Sequence, residues 1–264
     1  MEHIRVTSKG SISKVIFLVL ILVVVFIAAI KFVDLDMAKF FDRLKNVPHV
    51  LKLMLAVDPS VVPDALLNIV TTLALAFLGL VVAIILALIL SFLAASNIAP
   101  SRSLAIFIKG FFSVMRSVPA LVWGLMVISS LGFGNISGFV VILIVATSYL
   151  TKTFTGSIEE VGGDVIEAMK STGASWSKIV YHGLLPLCIT AFVSWMTIGF
   201  ETSVAEAIGL GIIGVGGIGL LLSQAISSFN YAQLTTFVIM ICLLMIILEL
   251  FMTRIKNRIK FGKR

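Results

Sequence analysis

Apolar residues in this chain gather into long unbroken runs rather than alternating with polar ones. A bilayer's hydrocarbon core takes about 20 apolar residues as a helix. By that measure six runs predict six transmembrane helices. The first is "VIFLVLILVVVFIAAI" at Val15–Ile30. The second covers about Leu66 to Ala95, the third the short stretch Ser117 to Leu131, and the fourth Ile136 to Leu150. The fifth begins near Leu187 and continues to about Ala207, and the sixth is Leu234 to Met252. The first run follows Lys9 and Lys14 as a signal peptide's would. It lacks a small-residue cleavage site and is long for a signal segment, so it reads as a retained helix.

Composition agrees with this all-α membrane reading. Of 264 residues, 59% are hydrophobic and 12% charged, against roughly a quarter charged in an ordinary soluble domain. Charge then sets the orientation. Residues 1–14, 96–116, 152–186 and 253–264 carry 3, 3, 3 and 6 Lys/Arg, whereas residues 31–65 carry five. The excess of basic residues marks the cytoplasmic side, so both termini are expected there. The net charge of +7 is therefore spent on lipid headgroups, with the tail "TRIKNRIKFGKR" as an anchor and no nucleic-acid partner. Cys188 and Cys242 are expected to be small buried hydrophobes.

Four regions follow from the pattern: residues 1–33, a tail and first helix; 34–65, an extracytoplasmic amphipathic segment; 66–252, a core of spans with a cytoplasmic loop at 152–186; and 253–264, a basic tail. In the outer segment Phe40, Leu44, Leu51 and Leu55 recur at helical spacing and predict helices along the membrane surface. The inner loop predicts a helix from about Asp164, with Val165, Ala168, Met169 and Thr172 on one face and Gly173 at its C-terminus. Ser175 caps a second short helix carrying Trp176, Ile179 and Val180, ending before Pro186. A helical turn this short is unstable alone in water, so a groove in a partner protein is its expected seat.

These residues carry a resemblance. "EAMKSTGASWSKIVYHGLLP" is similar to the EAA loop of ABC-importer permeases (Glu-Ala-Ala, three residues, Gly, nine residues, Ile-x-Leu-Pro). Glu167, Ala168, Gly173, Leu185 and Pro186 match; Met169 replaces the second Ala, and Gly183 the Ile. "MRSVPALVWGLMVISSLGFG" resembles the Arg-x-x-Pro-x-Leu-Val-Trp segment of phosphonate-importer permeases, and the exit Ala94-Ala95-Ser96-Asn97 their Ala-Ala-x-Asn. "FETSVAEAIGLGIIGVGGIG" resembles their Trp-Glu-x-Asn-Val-Arg…Gly-Gly-Ile-Gly block, with Ser203 and Ala205 where the pattern has Asn and Arg.

The resemblance implies a type I ABC-importer architecture in a prokaryotic inner membrane. Two copies, or one copy and a paralogue, would enclose a pathway, fed by an extracytoplasmic solute-binding protein and driven by two separate ATPase subunits. ATP-Mg would sit on those subunits, with no cofactor on this chain. The coupling loop would comprise Glu167, Ala168, Met169, Gly173, Ala174, Trp176 and Pro186. A phosphonate or related oxyanion is the implied solute, with an amino acid such as methionine as the alternative. An ion-coupled secondary transporter is a further alternative. It would need ionisable groups along its route and inverted repeats, and no internal repeat is seen.

Charged groups inside a bilayer are expensive, which makes each a functional candidate. Glu201, Ser203, Arg116 and Trp123 are the expected pathway residues. Glu206 is expected to be solvated near the outer end, and Glu249 to pair with Arg254 in the tail. Gly209, Gly211, Gly214, Gly216, Gly217 and Gly219 form "GLGIIGVGGIG", whose start satisfies the G-x-G-x-x-G of dinucleotide loops. Such a loop needs a preceding strand and an acid about 20 residues on. Here a span precedes it, and no Asp or Glu follows until Glu249. The glycines are therefore expected to serve a tight backbone return or a gate or dimer contact. Neither a P-loop nor metal-ligand spacing of histidines is present in the sequence, so no catalytic residue is expected.

Overall fold

The structure, a computed structural model, describes residues 9–33, 36–161 and 163–261. Arg5, Lys263 and Arg264, which entered the charge asymmetry, lie outside the described residues. The chain falls into two units, residues 1–53 and 54–264. The first holds α1 (Lys9–Phe32), α2 (Met37–Leu44) and α3 (Val47–Leu53). In α1 the side chains from Val15 to Ile27 are all exposed apolar groups, as a lipid-facing helix requires. The surface helices expected of the outer segment are α2 and α3, and neither buries a residue within the chain. Asp36 caps α2 by accepting the Lys39 N–H at 3.0 Å.

The second unit is built on α4 (Val62–Ala94), α7 (Asn135–Glu160), α10 (Leu185–Ile212) and α12 (Tyr231–Phe261). Three of them meet in one core, where Phe154 of α7 stacks 4.5 Å from Phe192 of α10 and Ala83, Ala87 and Leu150 are wholly buried. Small residues set the approach of α4 to α7. A Cβ on Gly79 would lie 2.7 Å from Ile142. Without a hydrophobic drive inside lipid, such close backbone contact is what holds spans together. Cys188 is buried in this core, but Cys242 is exposed on α12; only one cysteine is the core hydrophobe expected.

The third expected span is a bent pair. α5 (Arg102–Ser117) and α6 (Ala120–Leu131) meet at 90°. Pro119 causes the break: it cannot continue α5, and it forces Val118 into an extended conformation (ψ 123°). At 1.5 Å per residue, α6 alone reaches about 18 Å, well short of the hydrocarbon core. Five described helices are long and apolar enough to cross a membrane, and six if the bent pair counts as one. Residues 96–116, expected as a loop, are thus mostly α5.

The fifth span also starts earlier than its apolar run. Helix α9 (Trp176–Lys178), a π-helical turn (Ile179–Leu184) and α10 follow without interruption. Pro186 was expected to lie beyond the end of the short loop helix. It lies instead in the first turn of α10. A proline ring clashes with the carbonyl four residues back; the wider π turn before it relieves that clash and lets the helix run on.

Between the last two long helices the glycine stretch turns back on itself and enters α11 (Ile218–Ser227). Gly214, Gly216 and Gly217 hold φ of 97°, 125° and 69°, a region open to glycine at little cost. The returning backbone is fastened to α4, where the Thr72 hydroxyl accepts the Ile218 N–H at 3.0 Å.

Candidate functional site

Residues at i, i+3, i+4 and i+7 share one helix face. On α10 that spacing aligns Gly199, Thr202, Ser203 and Glu206. They face the α5–α6 break, and together with Arg116, Pro119 and Tyr149 they line a cavity of about 310 Å³. The Arg116 guanidinium stands over the Tyr149 ring, 5.6 Å from its centroid, an attraction that fixes its direction. Among the described residues the ion pairs are Lys39–Asp36, Lys45–Asp42 and Lys109–Glu159. Arg116 and Glu206 thus share a cavity without pairing.

The structure brings Arg116 and Ser203 together and sets the other two expected pathway residues elsewhere. Glu201 lies about 140° around α10 from Glu206; the charges that act on it are those of Glu249 and Lys256 on α12. Glu249 is exposed and joins none of these ion pairs, so its expected partner Arg254 does not hold it. Trp123 donates its Nε1–H to the Met115 carbonyl at 3.2 Å, which braces the bend between α5 and α6. Ala205, where the family pattern has Arg, sits on the exposed side of α10 and does not line the cavity. Glu206, expected to be solvated, is the acid that does. The polar stripe on α10 was the sequence signal for it.

A second set of residues lies at the other end of the helices. α8 (Gly163–Ser171) buries Ile166, half-buries Val165 and Met169, and leaves Glu167, Ala168 and Lys170 exposed. Of the face that the spacing groups, Val165 and Met169 are half-buried, and Ala168 and Thr172 stay exposed. Gly173 follows with φ of 77°, and Ala174 donates its N–H to the Met169 carbonyl at 3.1 Å, closing the turn. Trp176 donates its Nε1–H to the Ile98 carbonyl at 2.9 Å, and Asn97 donates to the Ile158 carbonyl at 2.9 Å. The Glu159 carboxylate accepts the Ser96 N–H at 2.7 Å and pairs with Lys109 at 3.0 Å. The exit of α4, from Ser96 to Ile98, is therefore the anchor for both α7 and the turn.

Both departures from the EAA pattern occupy one spot. A Cβ on Gly183 would lie 2.5 Å from the Met169 Sδ. The longer Met169 fills the space that a side chain at 183 would need. Gly183→Ile is therefore expected to destabilise the chain, and Met169→Ala to recover much of the loss. Thermal unfolding of the two single variants and the double variant should give a coupling of about 1–2 kcal/mol; additive effects would show that the two positions do not compensate.

The glycines have separable duties. A Cβ on Gly219 would come within 2.0 Å of the Ile208 carbonyl oxygen, and one on Gly211 within 2.5 Å of the Gly216 oxygen. Gly214 is packed by Phe133, Gly216 by Asn135 and Gly217 by Thr72. Gly209 has no such neighbour within 4 Å.

A bundle of long apolar helices with a polar cavity at a broken one defines a multi-span membrane protein. The family model described as "Binding-protein-dependent transport system inner membrane component" matches residues 87–261, and the chain belongs to that family. Among curated relatives, the phosphate-import permease protein PhnE of Mycolicibacterium smegmatis is 29% identical over 188 residues, 71% of this chain and 35% of that protein. The putative phosphite transport system permease protein HtxC of Stutzerimonas stutzeri is 28% identical over 193 residues, 73% of this chain and 68% of that one. The chain therefore spans about a third of the first relative and about two thirds of the second. A solved structure, "Inward facing conformations of the MetNI methionine ABC transporter", matches at TM-score 0.70 and 20% identity over 77% of this chain and 99% of that one. That likeness is one of fold.

Proposed function

We propose that this chain is the membrane subunit of an ATP-driven, binding-protein-dependent importer of a small phosphorus oxyanion such as a phosphonate, phosphite or phosphate. The observation that carries the reading is the cavity at the α5–α6 break. A guanidinium held over the Tyr149 ring and the Ser203 hydroxyl offer donors to oxyanion oxygens, and Arg recognises such oxygens with two parallel N–H bonds. The relatives named for phosphate and phosphite import support the solute class.

ATP-Mg is held by two separate ATPase subunits, and two copies of this chain, or one and a paralogue, enclose the pathway. The outer end is the α11 end, where a solute-binding protein delivers. The inner end is the α8 turn, which seats in a cleft of the ATPase. Glu167, Ala168, Gly173 and Ala174 present the exposed edge of that turn, while Met169 and Trp176 tie it to the bundle. A push on the turn travels along the unbroken helix from Trp176 to Ser203, about 40 Å by helical rise, and so reaches the cavity wall. Closing the ATPases on ATP would draw the turns together and switch the side on which the cavity opens.

The test is uptake by the assembled transporter with its own ATPase and binding protein. Labelled solute uptake should be competed by phosphite, phosphate or a phosphonate, and Arg116→Gln should lower uptake at least about tenfold. Competition by methionine and not by any phosphorus oxyanion would sink the solute assignment. Uptake by the chain alone under an ion gradient would sink the ATP-driven one.

A further inference from the structure

We infer that a groove at the α8 end of the bundle holds one anionic phospholipid, an acyl chain in the groove and the headgroup phosphate on Lys178. The groove, about 360 Å³, lies between the end of α4 and the helix that runs on from Trp176. Leu88, Ile89 and Phe92 form one wall, and Trp176, Tyr181 and Leu185 the other. Both walls continue as exposed apolar surface: Ile85 lies one turn before Ile89, and Ile189 one turn after Leu185. An apolar surface of this kind, on helices long enough to cross a membrane, meets lipid.

The groove also sits at the depth where headgroups begin. Asp64 is the only charged residue of α4, and about 20 residues of helix cross the hydrocarbon. Entering near Ile69, α4 leaves the hydrocarbon near Leu88, beside the groove. Trp and Tyr concentrate at that border, where one end of the ring is apolar and the other wet. Lys178 lies three residues before Tyr181 and four before His182, one turn away on the helix surface. It is exposed and joins no ion pair among the described residues. A basic group beside a slot between helices at this depth attracts an anionic headgroup. A lipid without net charge fills the slot equally well, so Lys178 is what selects the anionic one.

The experiment places the chain in phosphatidylcholine vesicles and adds lipid with brominated acyl chains, which quench nearby tryptophan. The share due to Trp176 is the difference between the chain and its Trp176→Phe variant. Half-quenching is expected at a mole fraction about fivefold lower for brominated phosphatidylglycerol than for brominated phosphatidylcholine, the scale of one lysine near an anionic headgroup. Lys178→Gln is expected to remove that difference, and Lys178→Arg to keep it. Position 178 is exposed and outside the groove walls, so neither change disturbs the core. Absent or equal quenching of Trp176 by the two lipids, or a difference that survives in Lys178→Gln, overturns the inference. So does quenching that vanishes once ATPase subunits are added, which would give the groove to a protein partner. Should Trp176→Phe fail to fold, mass spectrometry of lipid retained on the detergent-purified chain decides. Phosphatidylglycerol retained in preference by the wild type, with the preference lost in Lys178→Gln, supports the inference, and equal retention overturns it.

Discussion

Gly219→Val is expected to abolish the folded protein. The Cβ alone would sit 2.0 Å from the Ile208 carbonyl oxygen and 2.9 Å from the Gly211 Cα. Both obstacles are backbone, so no rotamer change relieves them. The return between α10 and α11 would have to open, and with it the Thr72 bond to Ile218. A loss of at least about 3 kcal/mol is expected from overpacking of this kind, visible as aggregation in detergent gel filtration. Gly209→Ala is the control. It lies inside α10 with open space around it, so the alanine should stabilise the chain by about 0.5–1 kcal/mol. Equal behaviour of the two variants would show that the glycine stretch is not packed as described. A normally folded Gly209→Ala monomer that no longer pairs would place that glycine at the contact between two copies.

Gly173→Asp and Glu167→Arg are expected to separate ATP hydrolysis from transport. Both positions are exposed on the α8 turn, so neither change disturbs the core. Gly173 has φ of 77° with nothing within 4 Å of a Cβ. Aspartate tolerates that conformation better than most residues, and the strain should stay near about 1 kcal/mol. What changes is the surface that the proposed coupling turn would offer to an ATPase subunit. Uptake should fall at least tenfold while the chain still folds, because a misplaced charge in a docked interface costs several kcal/mol. Normal uptake and a normally stimulated ATPase in both variants would remove the coupling role from this turn.

The membrane class and most of the spans were legible because lipid demands long apolar runs, and such runs are local in sequence. The Pro119 break was also local, yet its 90° angle was not. A proline ends a helix, but the packing of α5 and α6 against α7 sets where the next one points. The start of the fifth span was misjudged for the same reason. Polar residues from Trp176 to His182 do not look like a span, and nothing local marks a π turn that carries helix past Pro186.

The sequence by itself determined that this is a multi-helix membrane protein with a glycine-rich return, an exposed helix–glycine turn and a few costly charges in or near the spans. Each of these follows from residue chemistry within a short window. Only the tertiary structure decided which charges meet. Glu201 and Glu206 are five residues apart and chemically identical, but they face different helices. Arg116, Ser203 and Glu206 share a cavity because the α5–α6 break brings the end of one helix against the middle of another. Met169 and Gly183 compensate because α8 folds back on the π turn. Those pairings depend on contacts between segments distant in sequence, which no local pattern encodes.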